Sequence, residues 1–71
     1  MKKEIIENNV YDFRIKKSIT QEDLAEAVGV TRQTIISIEK GNYTPSVILA
    51  LKISRFFNTP LEEVFSISYE K

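Results

Sequence analysis

The chain has 71 residues, which is enough for one domain and leaves little interior to bury. Hydrophobic residues make up 42% of it, a fraction typical of a globular protein and too high for a disordered segment. Cysteine and histidine are both absent, so disulfides, thiolate metal sites and the usual neutral-pH proton shuttle are excluded. We therefore expect no enzyme activity, no metal and no cofactor, and no small-molecule ligand is evident.

The sequence carries no sign of a membrane protein. No apolar run approaches the roughly 20 residues needed to span a bilayer. The first residues become acidic before the apolar core of a signal peptide could form. We expect a cytoplasmic protein without a membrane partner.

The formal net charge is zero, with ten basic and ten acidic residues. Nucleic-acid-binding proteins usually carry a basic excess, so the total alone argues against DNA binding. The two signs are nevertheless unevenly distributed: the first 40 residues contain Arg14, Lys16, Lys17, Arg32 and Lys40, whereas the end of the chain contains Glu62, Glu63 and Glu70. A protein polarised in this way can present one basic face to DNA, so the charge leaves the question open.

Helical periodicity dominates from Val10 to Phe65. One face of a first helix is marked by Val10, Phe13 and the stem of Lys17, flanked by Tyr11 and Ile15. Thr20 is a predicted N-cap for the second helix, and Asp23 three residues later can complete a capping box. The buried stripe of this helix is predicted to contain Leu24, Ala25 and Val28. Gly29 ends it, because glycine allows a left-handed exit.

Three further helices follow. Thr31 caps the third, which runs through Ile35 and Ile38 to Lys40 and is stopped by Gly41. Ser46 caps a strongly amphipathic fourth helix whose predicted core residues are Val47, Leu49, Ala50, Leu51, Ile53, Phe56 and Phe57, with Asn58 at its C-terminal end. The segment 59–62, TPLE, predicts a short fifth helix capped by Thr59, with Glu62 closing a capping box.

The two ends of the chain differ from the helical part. Residues 65–69, FSISY, alternate between apolar and polar side chains with the period of a strand. The one other candidate strand is residues 2–7, around Ile5 and Ile6, so we predict that the termini pair as a small antiparallel ribbon. Two frayed termini are the alternative. The predicted fold is all-α, a single domain over residues 1–71 with five helices and this ribbon.

The second and third helices are joined by three residues that include a glycine, as in a helix-turn-helix over residues 20–40. At about 100° per residue, Ile35 and Ile38 point the third helix inward, and its outward face holds Arg32, Gln33, Ile36, Ser37 and Lys40. Arginine can bind guanine, glutamine can bind adenine, serine can bind several bases, and an isoleucine can contact a thymine methyl group. A merely solvated polar face is the alternative.

These segments resemble the Cro/CI-type (XRE, lambda-repressor-like) helix-turn-helix family. The resemblance rests on ITQEDLA at 19–25, GVTRQTI at 29–35 and IEKG at 38–41. It continues in YTPS at 43–46, LALKI at 49–53 and TPLEEVF at 59–65. It implies a five-helix DNA-binding domain and a regulator of transcription, and it is strongest for compact stand-alone members in which the termini form a small sheet and the chain dimerises.

The resemblance also implies roles for individual residues. Bases would be contacted by Arg32, Gln33 and Ser37, with Thr34 and Ile36 as lesser candidates. DNA phosphates would be contacted by Gln21, Thr31, Lys40, Asn42 and Lys17, of which Gln21 lies at a helix N-terminus, a ready anion site. Arg14 and Glu39 would form a structural ion pair between the first and third helices.

We expect the chain to bind an inverted repeat in double-stranded DNA as a homodimer and to act as a repressor, because one recognition helix reads too few bases to be specific. The predicted dimer interface comprises Asn58, Pro60, Leu61 and Val64. A protein-interaction module that uses the helix-turn-helix shell without DNA is the competing hypothesis, supported by the neutral charge. Salt dependence distinguishes the two, because phosphate binding weakens steeply as salt rises.

Overall fold

The computed structural model describes residues 3–69 as five helices and two strands. In chain order the elements are β1 (Glu4–Asn8), α1 (Val10–Lys16), α2 (Gln21–Val28), α3 (Arg32–Glu39), α4 (Val47–Phe56), α5 (Leu61–Val64) and β2 (Phe65–Tyr69). The predicted mostly helical architecture with a terminal ribbon is therefore confirmed.

The ribbon is antiparallel and joins the two ends of the chain. Ile6 is opposite Ile67 and Asn8 is opposite Phe65. The second strand has the predicted bounds, whereas the first extends one residue beyond the predicted 2–7, and Lys2 lies outside the described residues. The ribbon is attached to the helices by the Asn8 side chain, whose Nδ2 donates to the carbonyl oxygen of Ile38 at 2.9 Å.

The core lies where α2, α3 and α4 meet and is closed by the first residue of α1 and the last residue of α5. Its buried hydrophobic residues are Val10, Leu24, Ala25, Val28, Ile35, Ile38, Leu49, Ala50, Ile53 and Val64. The predicted stripe of α2 and the predicted inward pair of α3 are confirmed. Phe13 and Phe57 add a stacked aromatic contact, with ring centroids 5.6 Å apart, that ties α1 to the end of α4.

Two predictions about which side chains are buried are wrong. Lys17 lies at the C-cap of α1 and is exposed, and Arg14 is the buried residue one turn after Val10. In α4, Val47 and Leu51 are not core residues: they are 74% and 45% exposed. They follow each other at four-residue spacing on a second apolar side of the helix, which faces away from the core.

The starts of three helices follow local chemistry closely. The hydroxyls of Thr20, Thr31 and Ser46 accept backbone N–H groups in the first turns of α2, α3 and α4, as predicted. The predicted cap of α5 is wrong, because the Thr59 hydroxyl donates to the carbonyl oxygen of Phe57 at 2.9 Å and no side chain caps this helix. Glu62 consequently closes no capping box.

One predicted interface residue is excluded by its burial. Val64 has no exposed surface and packs in the core of its own chain, so it cannot contact a second copy. Within residues 3–69, the helices are all too short to cross a lipid bilayer.

Candidate nucleic-acid interface

Helix α2, the first helix of the helix-turn-helix, is fixed at both ends by its sequence. Thr20 and Asp23 form a reciprocal capping box at the start of α2, with each backbone N–H bound by the other residue's side chain at 3.0 Å. The pKa of Asp23 is lowered, because its carboxylate accepts hydrogen bonds from the backbone and side chain of Thr20. At the other end Gly29 adopts a φ of 78°, which lets the N–H of Val30 donate to the carbonyl oxygen of Ala25 at 2.9 Å.

The helix that follows has a buried side and a polar, accessible side. Ile35 and Ile38 have no exposed surface. Arg32 and Gln33 are exposed in the first turn. Because Ile35 and Ile38 are held in the core, Arg32 and Gln33 leave α3 on its accessible side.

The remaining candidate base-contacting residues on α3 are half-buried. Ile36 and Ser37 are partly accessible on the helix surface. Thr34 is engaged locally, since its hydroxyl lies 3.1 Å from that of Thr31 and its N–H donates to the same Thr31 oxygen at 3.3 Å. Thr31 is thus the cap of α3, and its hydroxyl is committed to the helix N-terminus.

A buried ion pair links α1 to α3. Arg14 Nε donates to Glu39 Oε2 at 2.7 Å and Arg14 Nη2 donates to Glu39 Oε1 at 3.1 Å, a bidentate arrangement. The two side chains are only 10% and 6% exposed. The hydrogen bond to Glu39 raises the pKa of Arg14 above its ordinary value. Arg14 Nη1 also donates to the carbonyl oxygen of Ile19, so the pair also holds the segment before α2.

Gln21 joins this network, a contact that the sequence analysis missed. Its Nε2 donates to Glu39 Oε1 at 3.1 Å. This hydrogen bond orients the Gln21 amide with its nitrogen toward Glu39, and the second N–H of Nε2 can still donate to another acceptor. Family position alone had suggested Gln21 for phosphate contact, and no sequence pattern links residues 21 and 39.

Two candidate DNA-contacting residues, Gln21 and Arg32, lie in one open cleft together with Arg14 of the ion pair. Arg14, Gln21 and Arg32 line a depression of about 550 Å³ between the end of α1, the start of α2 and the start of α3. Glu22 lines the same cleft, so the cleft contains both positive and negative side chains.

Three other candidate phosphate-contacting residues, Lys40, Asn42 and Lys17, do not line this cleft. Lys40, at the C-cap of α3, and Asn42 are exposed, and the N–H of Asn42 is bound to the carbonyl oxygen of Ser37 at 2.9 Å. The structure does not place Lys17 among the residues lining the cleft: its Nζ lies 5.6 Å from the ring centroid of Phe56.

Known proteins that resemble this chain share its helix-turn-helix. A family model described as helix-turn-helix matches residues 10–64. An uncharacterized HTH-type transcriptional regulator of Methanocaldococcus jannaschii is 50% identical over 60 residues, which are 84% of this chain and 91% of that protein. The cryptic phage CTXphi transcriptional repressor RstR of Vibrio cholerae is 30% identical over 61 residues, 86% of this chain and 55% of the repressor.

A solved structure agrees with the fold. The restriction-modification controller protein C.AhdI from Aeromonas hydrophila superposes with a TM-score of 0.71 at 26% identity. The match covers 76% of this chain and 82% of the controller protein.

Proposed function

The chain belongs to the Cro/CI-type helix-turn-helix family of transcriptional regulators and carries its DNA-binding domain, and we propose that it represses transcription as a homodimer bound to an inverted repeat. The observation that carries the proposal is the first turn of α3. Arg32 and Gln33 are exposed there, on a helix whose inward side chains are completely buried. The N-terminal residues of a recognition helix are those that reach base edges in the major groove.

Three side chains of α3 supply the main base contacts in this proposal. Arg32 can donate two hydrogen bonds to O6 and N7 of a guanine. Gln33 can pair with N6 and N7 of an adenine, and the hydroxyl of Ser37 can donate or accept. A good bidentate contact discriminates against the wrong base by about 1–3 kcal/mol.

Two further side chains contribute less. Ile36 offers an apolar surface to a thymine methyl group. Thr34 is limited to its methyl group and a shared hydroxyl, because Thr31 already holds that hydroxyl.

Phosphate contacts would position the domain on the duplex. Gln21 would donate its free amide N–H to a phosphate at the start of α2, where the helix end favours an anion. Thr31, at the start of α3, would contribute through the backbone at that helix end. Lys40 and Asn42 would contact the backbone as the chain leaves the groove, and Lys17 would approach it from the end of α1.

The homodimer follows from the amount of sequence that one copy can read. Four or five side chains of a single α3 discriminate too few base pairs to select one site in a genome. Two copies related by a two-fold axis would place their recognition helices about 34–36 Å apart, which corresponds to one turn of DNA and an inverted repeat. Occupation of such a site over a promoter would repress transcription.

Rounds of selection from random duplex DNA test sequence-specific binding. We expect an inverted repeat to be enriched, and Arg32→Ala to lower affinity for it at least about tenfold through the loss of one bidentate contact. Arg55→Ala is the matched control, because Arg55 is an exposed arginine on α4, outside the proposed interface. Failure to enrich any sequence with folded, dimeric protein would refute the proposal.

Salt dependence separates DNA binding from a protein-interaction module. A phosphate-contacting lysine adds close to one unit to the slope of log affinity against log salt. Because the homodimer carries two copies of Lys40, Lys40→Ala should lower that slope by about two units, whereas Lys52→Ala, an exposed lysine on α4, should leave it unchanged. Binding that is nearly independent of salt would favour the interaction module.

A further inference from the structure

An unusually apolar surface covers one side of the domain. Five large hydrophobic side chains are exposed on it: Ile6 of β1, Val47, Ile48 and Leu51 of α4, and Ile67 of β2. We call these five residues the apolar face. Val47, Ile48 and Ile67 are each at least 60% exposed, although a β-branched aliphatic side chain gains nothing from water.

The apolar face arises because α4 has two hydrophobic sides. Leu49 and Ile53 occupy the buried side. At about 100° per residue, Val47, Ile48 and Leu51 share a separate arc of roughly 100° that is turned away from them. A helix that is apolar on both sides is normally covered on both sides, and the part of the chain that the structure describes covers only one.

The ribbon extends this surface beyond α4. Ile6 and Ile67 are cross-strand partners, so their side chains leave the ribbon on the same face. Together with Val47 and Leu61 they line a groove of about 320 Å³ between the ribbon, α5 and the start of α4. Among residues 3–69, Glu62 is the sole charged residue lining it.

The size and charge of the face suit a second copy of the same chain. Its five side chains leave on the order of 500 Å² of surface open, a large part of the roughly 800 Å² per partner that a standard interface buries. The five residues of the face are uncharged and Glu62 is the charged residue beside them in the groove, so little like charge meets when two copies pack on this face. None of the groove residues belongs to α2 or α3, which leaves both recognition helices accessible.

We infer that the apolar face is the homodimer interface, formed by the face of one copy packed on the same face of the other. The inference deepens the proposed function, since it specifies the partner surface that an inverted-repeat site requires. This interface differs from the one that we predicted from the sequence. Leu61 lines the groove and stays in the interface, whereas Asn58 and Pro60 do not line it.

A pair of matched substitutions tests the interface. Ile48→Glu places a charge on the α4 part of the face, and Ile15→Glu places the same charge on an exposed isoleucine of α1 outside it. Sedimentation equilibrium at tens of micromolar should give wild type and Ile15→Glu about twice the 8.2 kDa chain mass. The dissociation constant of Ile48→Glu should rise at least about tenfold, because two unpaired carboxylates would be buried together. Circular dichroism should show an unchanged helix content, since Ile48 is largely exposed.

Several results would overturn the inference, and they differ from those that would overturn DNA binding. A monomeric wild type, or an Ile48→Glu variant that dimerises as tightly as wild type, would refute this interface. Val47→Lys provides an independent check, because a second change on the face must weaken the dimer as well. The two face variants, Ile48→Glu and Val47→Lys, should still bind duplex DNA of arbitrary sequence at low salt. A dimer that depends on the face but binds no DNA would support the interface and refute the proposed function.

Discussion

The buried pair of Arg14 and Glu39 predicts a large loss of stability when one partner is removed. Glu39→Ala deletes three accepted hydrogen bonds and leaves the Arg14 guanidinium buried, with the carbonyl oxygen of Ile19 as its remaining partner. Breaking a buried pair in this way costs about 3–5 kcal/mol. A domain of this size is stable by about 4–10 kcal/mol, so the variant should lose a large part of its stability. Its Tm should fall by about 12 °C or more.

Two further variants make this prediction specific to the buried charge. Replacing both residues, with Arg14→Met and Glu39→Met, removes the unpaired charge and should restore most of the lost stability. Glu26→Ala, an exposed glutamate on α2, is the control and should change stability by less than about 0.5 kcal/mol. Urea unfolding followed by circular dichroism, at one protein concentration, measures all three. The reasoning fails if Glu39→Ala is as stable as the control, or if the double variant is no more stable than Glu39→Ala.

Three other predictions concern the helices that support α3. The pKa of Asp23 is lowered in the folded protein, so its contribution to stability is present above the unfolded pKa of about 3.9 and is lost as pH falls through the folded value; Asp23→Asn should remove this part of an acid-unfolding curve. Gly29→Ala should lower the free energy of unfolding in urea by about 1–2 kcal/mol, because the position has a positive φ. An added Cβ would meet open space, so no clash adds to this cost, and Gly29→Asn should cost less. Ile53→Ala should cost about 2–5 kcal/mol by the same measurement, whereas Lys52→Ala should cost little.

The parts of the fold that the sequence predicted are those governed by neighbouring residues. Thr20, Thr31 and Ser46 cap their helices because a hydroxyl accepts a backbone N–H three residues later, whatever surrounds it. Gly29 ends α2 for an equally local reason. The ribbon could be predicted because the alternation in β2 left one complementary segment in the chain.

Most of the errors arose where distant parts of the chain decide. Hydrophobicity shows that Val47 and Leu51 are apolar, but only the packing of α4 on α2 shows that they face outward. The error at Thr59 is a local one, because its hydroxyl donates to the carbonyl oxygen of Phe57 two residues earlier. The link from Gln21 to Glu39 joins two helices and has no signature in sequence spacing.

The placement of charge on α3 explains how a chain of zero net charge can approach DNA. The one acidic residue of α3, Glu39, is turned inward and neutralised by Arg14, so Arg32 and the capping Lys40 are the charged side chains that the helix presents to solvent. Two cations from each copy of α3 release few counterions, and this limits the affinity that phosphate contacts of this helix can provide. Base contacts must then supply more of the binding free energy, and a single α3 offers too few of them. In the proposed function, a second copy would double both the phosphate contacts and the base contacts, and this connects the apolar face to the proposed role of α3.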